Sequence, residues 1–488
     1  MLAGKRSTIF VGLVLLIGGV LRCWNIDQSF WWDEIWSTMT YVKAQSLWNV
    51  VSSLGYYFNN HILYSLLARA FISVLGESEF VARLPAVLMG LFAIVVLFQF
   101  GKAFLGVPAG CLASLLLALS AFHIDHSSEA RGYSGLVLFS ILSSYYFIKG
   151  LKENRGTSWM AYVLFTVLGF YSHIFMFAVS ASQFFSSLIF ACGRKWASGT
   201  IDITQRALRN FFLALLCAGI TTLLIYSPVL PAFFRNLGRM QAVTVSRVPF
   251  VVSLLQSLLP GCNSNAGGMV YGILFVAGLC GIAKKDATLF LYFLVLCMLP
   301  LSLYLVINPM FVFERYFIFT LPAVLLIVSQ GMVGLTARLR GIYKNGAIMA
   351  LLALLVFLHV PAIGTTVSQD RQNYREAIRY VEGEMSNETE ELIFSIGYAG
   401  EHFRYYASDT TIVTPETLDA LAPLMQGKDR LWCLITAWLP DIRPPYEDRA
   451  LYAETPEQTN IYNYVKKHFV LRKTFFSTYP VEVYVLER

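Results

Sequence analysis

Charge is scarce in this chain: Asp, Glu, Lys and Arg make up 14% of its 488 residues, against 56% hydrophobic. A soluble domain carries about 25% charged residues, and the apolar runs here are too long for a greasy globular enzyme. Thr8–Val20, Phe80–Phe100, Asn210–Leu230 and Ala347–Ile363 are almost free of charge, on the scale of the roughly 20 residues that cross a bilayer. Ionisable residues are nearly absent from the span centres, where proton- or ion-driven transporters need them. There is no phosphate-binding loop, no GxGxxG after a strand, no GxSxG elbow and no HExxH, so the enzymes that depend on those motifs are set aside. The cysteines include no CxxC and no Cys/His metal spacing. Cys23, Cys111, Cys192, Cys217, Cys280 and Cys297 fall in or at the ends of spans and read as small apolar packing residues. Cys262 and Cys433 both fall outside and are available to pair.

What remains is a polytopic α-helical membrane protein of about 11 transmembrane helices, with approximate spans 8–25, 80–101, 107–122, 133–149, 157–173, 174–192, 210–230, 268–283, 287–307, 317–335 and 346–367. With Lys5-Arg6 placed in the cytoplasm, the short basic loops fall on that side each time. They carry Lys102; Lys149, Lys152 and Arg155; Arg194-Lys195 with Arg206 and Arg209; Lys284-Lys285; and Arg338, Arg340 and Lys344. This positive-inside pattern describes an N-in, C-out chain. The net charge of +7 therefore reports topology and calls for no nucleic acid. Only Tyr171-Ser172-His173 separates the fifth and sixth spans, yet merging them would break the charge pattern.

The first external loop, 27–79, is long enough to carry structure. Within it Ile62, Leu66, Ala70 and Leu75 repeat at helical spacing in a segment too short to cross, which predicts a helix lying in the interface. From about Ser368 the composition shifts. A charged amphipathic helix is expected over 370–385, strands over 391–396, 410–413, 430–436 and 470–476, and an edge strand over 481–486, with helices at 400–406 and 455–468. That alternation describes a small C-terminal extracytoplasmic α/β domain, 368–488, beside a transmembrane domain, 1–367.

The candidate chemistry lies at the membrane edge. Trp31-Trp32-Asp33-Glu34 follows the first span, where aromatic rings belong at the lipid–water boundary. A carboxylate held there is suited to deprotonating a hydroxyl whose reaction partner arrives in the lipid, and burial beside Trp31 and Trp32 would raise its basicity. Capping of the helix that runs on from Ile35 is compatible with this role. A second group is His123-Ile124-Asp125-His126-Ser127-Ser128-Glu129-Ala130-Arg131-Gly132-Tyr133, a short turn between the third and fourth spans. Here a metal held by His123, Asp125 and His126 is one alternative, and Glu129 paired with or orienting Arg131 is another. The third is Phe313-Glu314-Arg315-Tyr316. An arginine at the external end of a span runs against the positive-inside preference, and its planar fork suits a phosphate; local neutralisation by Glu314 is the alternative. His173 reads equally as a substrate contact or as a ring satisfied by backbone.

These stretches, with Gly76-Glu77-Ser78-Glu79-Phe80-Val81-Ala82-Arg83-Leu84-Pro85, Tyr171-Ser172-His173, Leu321-Pro322-Ala323 and Asn373-Tyr374-Arg375-Glu376-Ala377, carry a family likeness. The chain resembles the GT-C membrane glycosyltransferases, in the bacterial branch similar to protein O-mannosyltransferases and the lipid A aminoarabinose transferase. The likeness covers most of residues 8–380 and rests on the order and membrane positions of short motifs.

The resemblance implies transfer of a sugar from a polyprenyl-phosphate carrier to a protein, lipid or glycan acceptor hydroxyl, on the outer face of the cytoplasmic membrane. It implies Asp33 as general base with Glu34 in support, Arg131 and Arg315 on the lipid phosphate, and Glu129, His61, His173 and Tyr316 as substrate contacts. It requires no cofactor and assigns no residue to a metal, though a divalent ion stays open. Inversion by single displacement is the expected course. One departure is Asn59-Asn60-His61-Ile62-Leu63-Tyr64, where the branch commonly has His-Pro-Pro-Leu or a Lys-Pro element; His61 is the candidate replacement on the donor phosphate. The competing reading is a transporter or flippase for an envelope glycolipid.

Overall fold

The computed structural model describes residues 2–53, 59–193, 203–237, 247–307, 313–386, 390–396, 399–407, 411–436, 456–477 and 481–487. Arg194-Lys195 lie outside them. The chain divides into two compact units, Met1–Ile26 with Ala44–Ala242 and Ser246–Val367, and Asp27–Lys43 with Ser368–Arg488.

In the first unit every expected span coincides with a helix: Leu2–Cys23, Glu79–Phe104, Val107–Leu119, Tyr133–Glu153, Gly156–Ser172, Met176–Gly193, Gln205–Tyr226, Asn265–Lys285, Ala287–Ile307, Leu321–Leu335 and Gly341–Ser368. Among the described residues, seven segments suffice by length and composition to cross a membrane, or eight when Val107–Leu119 and Ala121–Ser127, bent by 61°, count as one. The chain is thus a multi-pass membrane protein. Helix starts follow side-chain caps, as where Ser78 Oγ accepts from Val81 N at 3.2 Å. Small residues set the closest crossings. A Cβ on Gly278 would lie 1.9 Å from Ile327 O, and one on Gly331 2.0 Å from Leu274 O, so helices Asn265–Lys285 and Leu321–Leu335 meet backbone to backbone. Buried hydroxyls and amides satisfy one another: Tyr162 Oη donates to Gln183 Oε1 at 2.9 Å, and Gln183 Nε2 to Ser143 Oγ at 3.0 Å. The stretch expected to lie in the interface is a helix, Ile62–Leu75.

The second unit is a five-stranded mixed sheet: β1 (Glu391–Ser395), β2 (Ile412–Val413), β3 (Arg430–Thr436), β4 (Val470–Phe475) and β5 (Val481–Glu487), in the order β2-β1-β3-β5-β4. β1 pairs in parallel with β2 and β3, and β5 antiparallel with β3 and β4. The strand expected at the edge, 481–486, is interior, and β4 takes the edge. Most of the β5 side chains are buried because helices cover both faces of the sheet. Helices Leu418–Leu424 and Pro456–His468 bury Leu421, Ile461 and Val465 against Phe394, Leu431, Cys433 and Ile435. Cys433 is buried there, and all eight cysteines are free thiols. Helix Tyr374–Glu384 lies on the opposite face, where Tyr380 meets the Trp432 ring edge-on at 6.4 Å.

Unexpectedly, the acidic segment belongs to this unit. Trp31 is buried under Arg371, 5.3 Å from its ring, and the half-buried Trp32 stacks on His402 with centroids 3.9 Å apart.

Candidate active site

In the first unit the second polar group is more ordered than a loop. Ser120 interrupts the helix, its Oγ accepting from His123 N at 3.3 Å, and Ala121–Ser127 resumes at an angle. His123 turns inward, where its Nδ1 sits 2.8 Å from Arg22 Nη2. His126 faces the other way, its Nδ1 donating to the fully buried Glu129 at 2.9 Å. His123, Asp125 and His126 therefore do not converge as a metal set, and among the described residues no group of three or more such ligands does. Glu129 is held by His126, and Arg131 reaches Asn59 Oδ1 with its own guanidinium.

Around Tyr133 the predicted residues come together. The Tyr133 centroid lies 5.2 Å from His61, 5.0 Å from His173, 5.0 Å from His126 and 6.4 Å from Tyr316. The Arg131 and Arg315 guanidinium carbons lie 6.0 and 5.8 Å from the same ring. Two segments far apart in sequence thus bring two permanent cations to one aromatic ring. His61 Nδ1 donates to Ser172 O at 3.2 Å, and His173 Nδ1 accepts from Phe175 N at 3.1 Å. These bonds leave an acceptor lone pair on His61 Nε2 and a proton on His173 Nε2. Burial, then Arg131 and His173, holds the His61 pKa well below the usual range. Burial, then Arg131 and Arg315, pushes that of His173 down to about 3. The cluster thus combines fixed guanidinium charge with neutral imidazoles, a surface suited to a phosphate.

Two expected outcomes follow from this packing. A Cβ on Gly132 would meet Ser172 O at 2.4 Å and His61 Nδ1 at 2.7 Å, so Gly132→Ala should break the His61–Ser172 contact and cost about 1–3 kcal/mol. A lowered unfolding temperature together with weakened lipid-phosphate binding checks it. The second concerns pH. An unfolded chain binds more protons on His173 between about pH 3 and 6.5, so stability is full above that window and falls as pH drops through it. Unfolding temperature should therefore decline from about pH 7 to about pH 5 in the native protein, and less steeply in His173→Asn.

The acidic pair lies in the second unit, in helix Trp32–Ser37. Glu34 is 1% exposed, and its Oε2 accepts from Trp31 N at 3.2 Å, closing the helix start. Asp33 sits in the first turn and is half-buried. Of the two acids that could start this helix, Glu34 makes the bond that closes it. Sequence reasoning assigned no role to Tyr133 or Asn59, and considered His126 only as a metal ligand. Tyr133 and His126 stood inside the quoted motif, and Asn59 lay in the stretch that departs from the family pattern, where its side chain supplies an acceptor for Arg131.

Known structures share this architecture. ArnT from Cupriavidus metallidurans in the apo state aligns with a TM-score of 0.61 at 11% identity, covering 99% of this chain and 98% of that one. The chain has the GT-C fold of membrane glycosyltransferases. The same ArnT bound to undecaprenyl phosphate gives a TM-score of 0.59 at 10% identity, covering 99% and 98%. The archaeal oligosaccharyltransferase AglB from Archaeoglobus fulgidus, in complex with an inhibitory peptide and a dolichol-phosphate, gives 0.53 at 11% identity, covering 88% of this chain and 69% of that one. The family model described as dolichyl-phosphate-mannose-protein mannosyltransferase matches residues 60–208, the GT-C stretch that contains His61, Glu129, Arg131 and His173. Comparison with curated protein sequences gives no match.

Proposed function

We propose that the chain is a glycosyltransferase that moves a sugar from a polyprenyl-phosphate carrier to an acceptor hydroxyl at the extracytoplasmic face of the inner membrane. The observation that carries this reading is the convergence of Arg131, Arg315, His61, His173 and Tyr316 around Tyr133, within a fold whose known members include one bound to undecaprenyl phosphate and one in complex with a dolichol-phosphate. Glycosyl transfer passes through an oxocarbenium-like state, with negative charge growing on the departing phosphate. Arg131 and Arg315 stabilise that charge, and the His173 Nε2–H adds a neutral donor. Asp33 takes the acceptor proton as the hydroxyl attacks the anomeric carbon, and Glu34 keeps the helix start in place. A single displacement inverts the anomeric centre. The acceptor is a protein, a lipid or a glycan.

The test is transfer by the purified protein in liposomes carrying defined polyprenyl-phosphate sugars, scored by mass spectrometry of lipid and envelope acceptors. Release of free polyprenyl phosphate with a glycosylated product supports the assignment. Counterflow of labelled lipid with no covalent product would move it to the flippase reading.

A further inference from the structure

The C-terminal unit grips the segment that carries Asp33 along its length. Arg375 Nη2 donates to Asp27 O at 2.8 Å, and Arg375 N to Ser29 Oγ at 3.3 Å. Gln28 Oε1 accepts from Arg371 N at 3.3 Å, and Tyr406 Oη from Phe30 N at 2.7 Å. Gln372 Oε1 accepts from Trp32 N at 2.7 Å, and the Trp32 ring lies on His402 at 3.9 Å with 24° between planes. Gln372 and His402 are 0% and 1% exposed, so both side chains are confined by their surroundings.

Trp32 is the first residue of its helix, and the N–H there has no partner within a helix. Gln372 satisfies that donor and fixes where the helix begins. His402 fixes the rotation of the adjoining side chain. Asp33 is the next residue, so its Cα–Cβ direction follows from these two contacts.

We propose that Gln372 and His402 are positioning residues for Asp33, and that the C-terminal unit orients the base in addition to any partner it binds. This rests on the reading of Asp33 as base. A misplacement of about 1 Å in a reacting group costs on the order of 100-fold in rate, so the contacts are expected to act on turnover more than on binding.

The experiment uses the full-length protein in liposomes with a polyprenyl-phosphate sugar. Gln372→Ala and His402→Ala are expected to lower kcat by about 10- to 100-fold with the donor KM within about 2-fold of native. His402→Phe, which keeps a stacking ring, should recover most of the loss. In an Asp33→Asn background, Gln372→Ala should add no further loss, whereas general damage to the fold would add to it. If Asp33→Asn is inactive while both alanine variants turn over at the native rate, or change only KM, the positioning role is overturned and the base assignment stands. If Asp33→Asn is fully active, the base assignment itself fails. Should an alanine variant fail to fold, Trp32→Phe keeps the backbone bond and shrinks the stacked ring: a fall in kcat at constant KM supports the role, and an unchanged kcat overturns it.

Discussion

Asp33→Asn is expected to lower sugar transfer by about 10²- to 10⁴-fold, the range of a general base, with expression and unfolding temperature close to native. The amide has nearly the volume of the acid and accepts hydrogen bonds, but it cannot take a proton from the acceptor hydroxyl. The variant is informative because the helix start depends on the neighbouring acid: the Trp31 N–H bonds to Glu34 Oε2, which the substitution leaves intact. Losing a charge in the first turn costs only about 0.3–1 kcal/mol of stability. Glu34→Gln should behave in the opposite sense, retaining substantial turnover because its oxygen still caps the helix. Turnover measured with saturating donor, beside a thermal melt, separates the two acids. Native activity in Asp33→Asn would remove the base from the mechanism.

Arg315→Lys and Arg131→Lys are each expected to lower kcat/KM by about 10²- to 10³-fold, as loss of a donor to a charge that develops in the transition state does. Lysine keeps the charge but loses the planar fork that meets two phosphate oxygens together. The two sites differ in their side effects. Arg315 is half-buried, its guanidinium carbon 4.5 Å from the Phe313 ring and 5.8 Å from Tyr316, so Arg315→Lys should be stable. Arg131 is 1% exposed and bonded to Asn59, so Arg131→Lys should also lower the unfolding temperature. Activity on a series of donors that differ only in the sugar should fall by one common factor, since both residues are assigned to the phosphate. A loss that depends on the sugar would place these side chains on the saccharide.

Much of this was legible before the structure because membrane insertion reduces folding to a few rules. Long uncharged runs must be helices, and the spans read from charge and hydropathy coincide with helices throughout the first unit. Motif order also put Arg131, Arg315, His61, His173 and Tyr316 at one membrane edge, where they share the ring of Tyr133. Two things were hidden. The β5 alternation does not report which strands flank it, so an interior strand was expected at the edge. Nor does sequence distance report packing. Residues 27–43 precede the C-terminal domain by more than three hundred positions, and only the hydrogen bonds of Arg375, Gln372 and Tyr406 reveal that they fold with it. Aromatic residues beside a span suit a lipid boundary and a protein interior equally well; Trp31 is buried beside Arg371, and Trp32 stacks half-buried on His402.

The account separates donor binding, at the arginine–histidine cluster, from proton removal at Asp33. The most direct measurement is native mass spectrometry of polyprenyl-phosphate binding to Asp33→Asn, paired with a single-turnover transfer assay on the same sample. Lipid-phosphate occupancy equal to native with no sugar transferred is the predicted result. Loss of lipid binding, or transfer at the native rate, would contradict it.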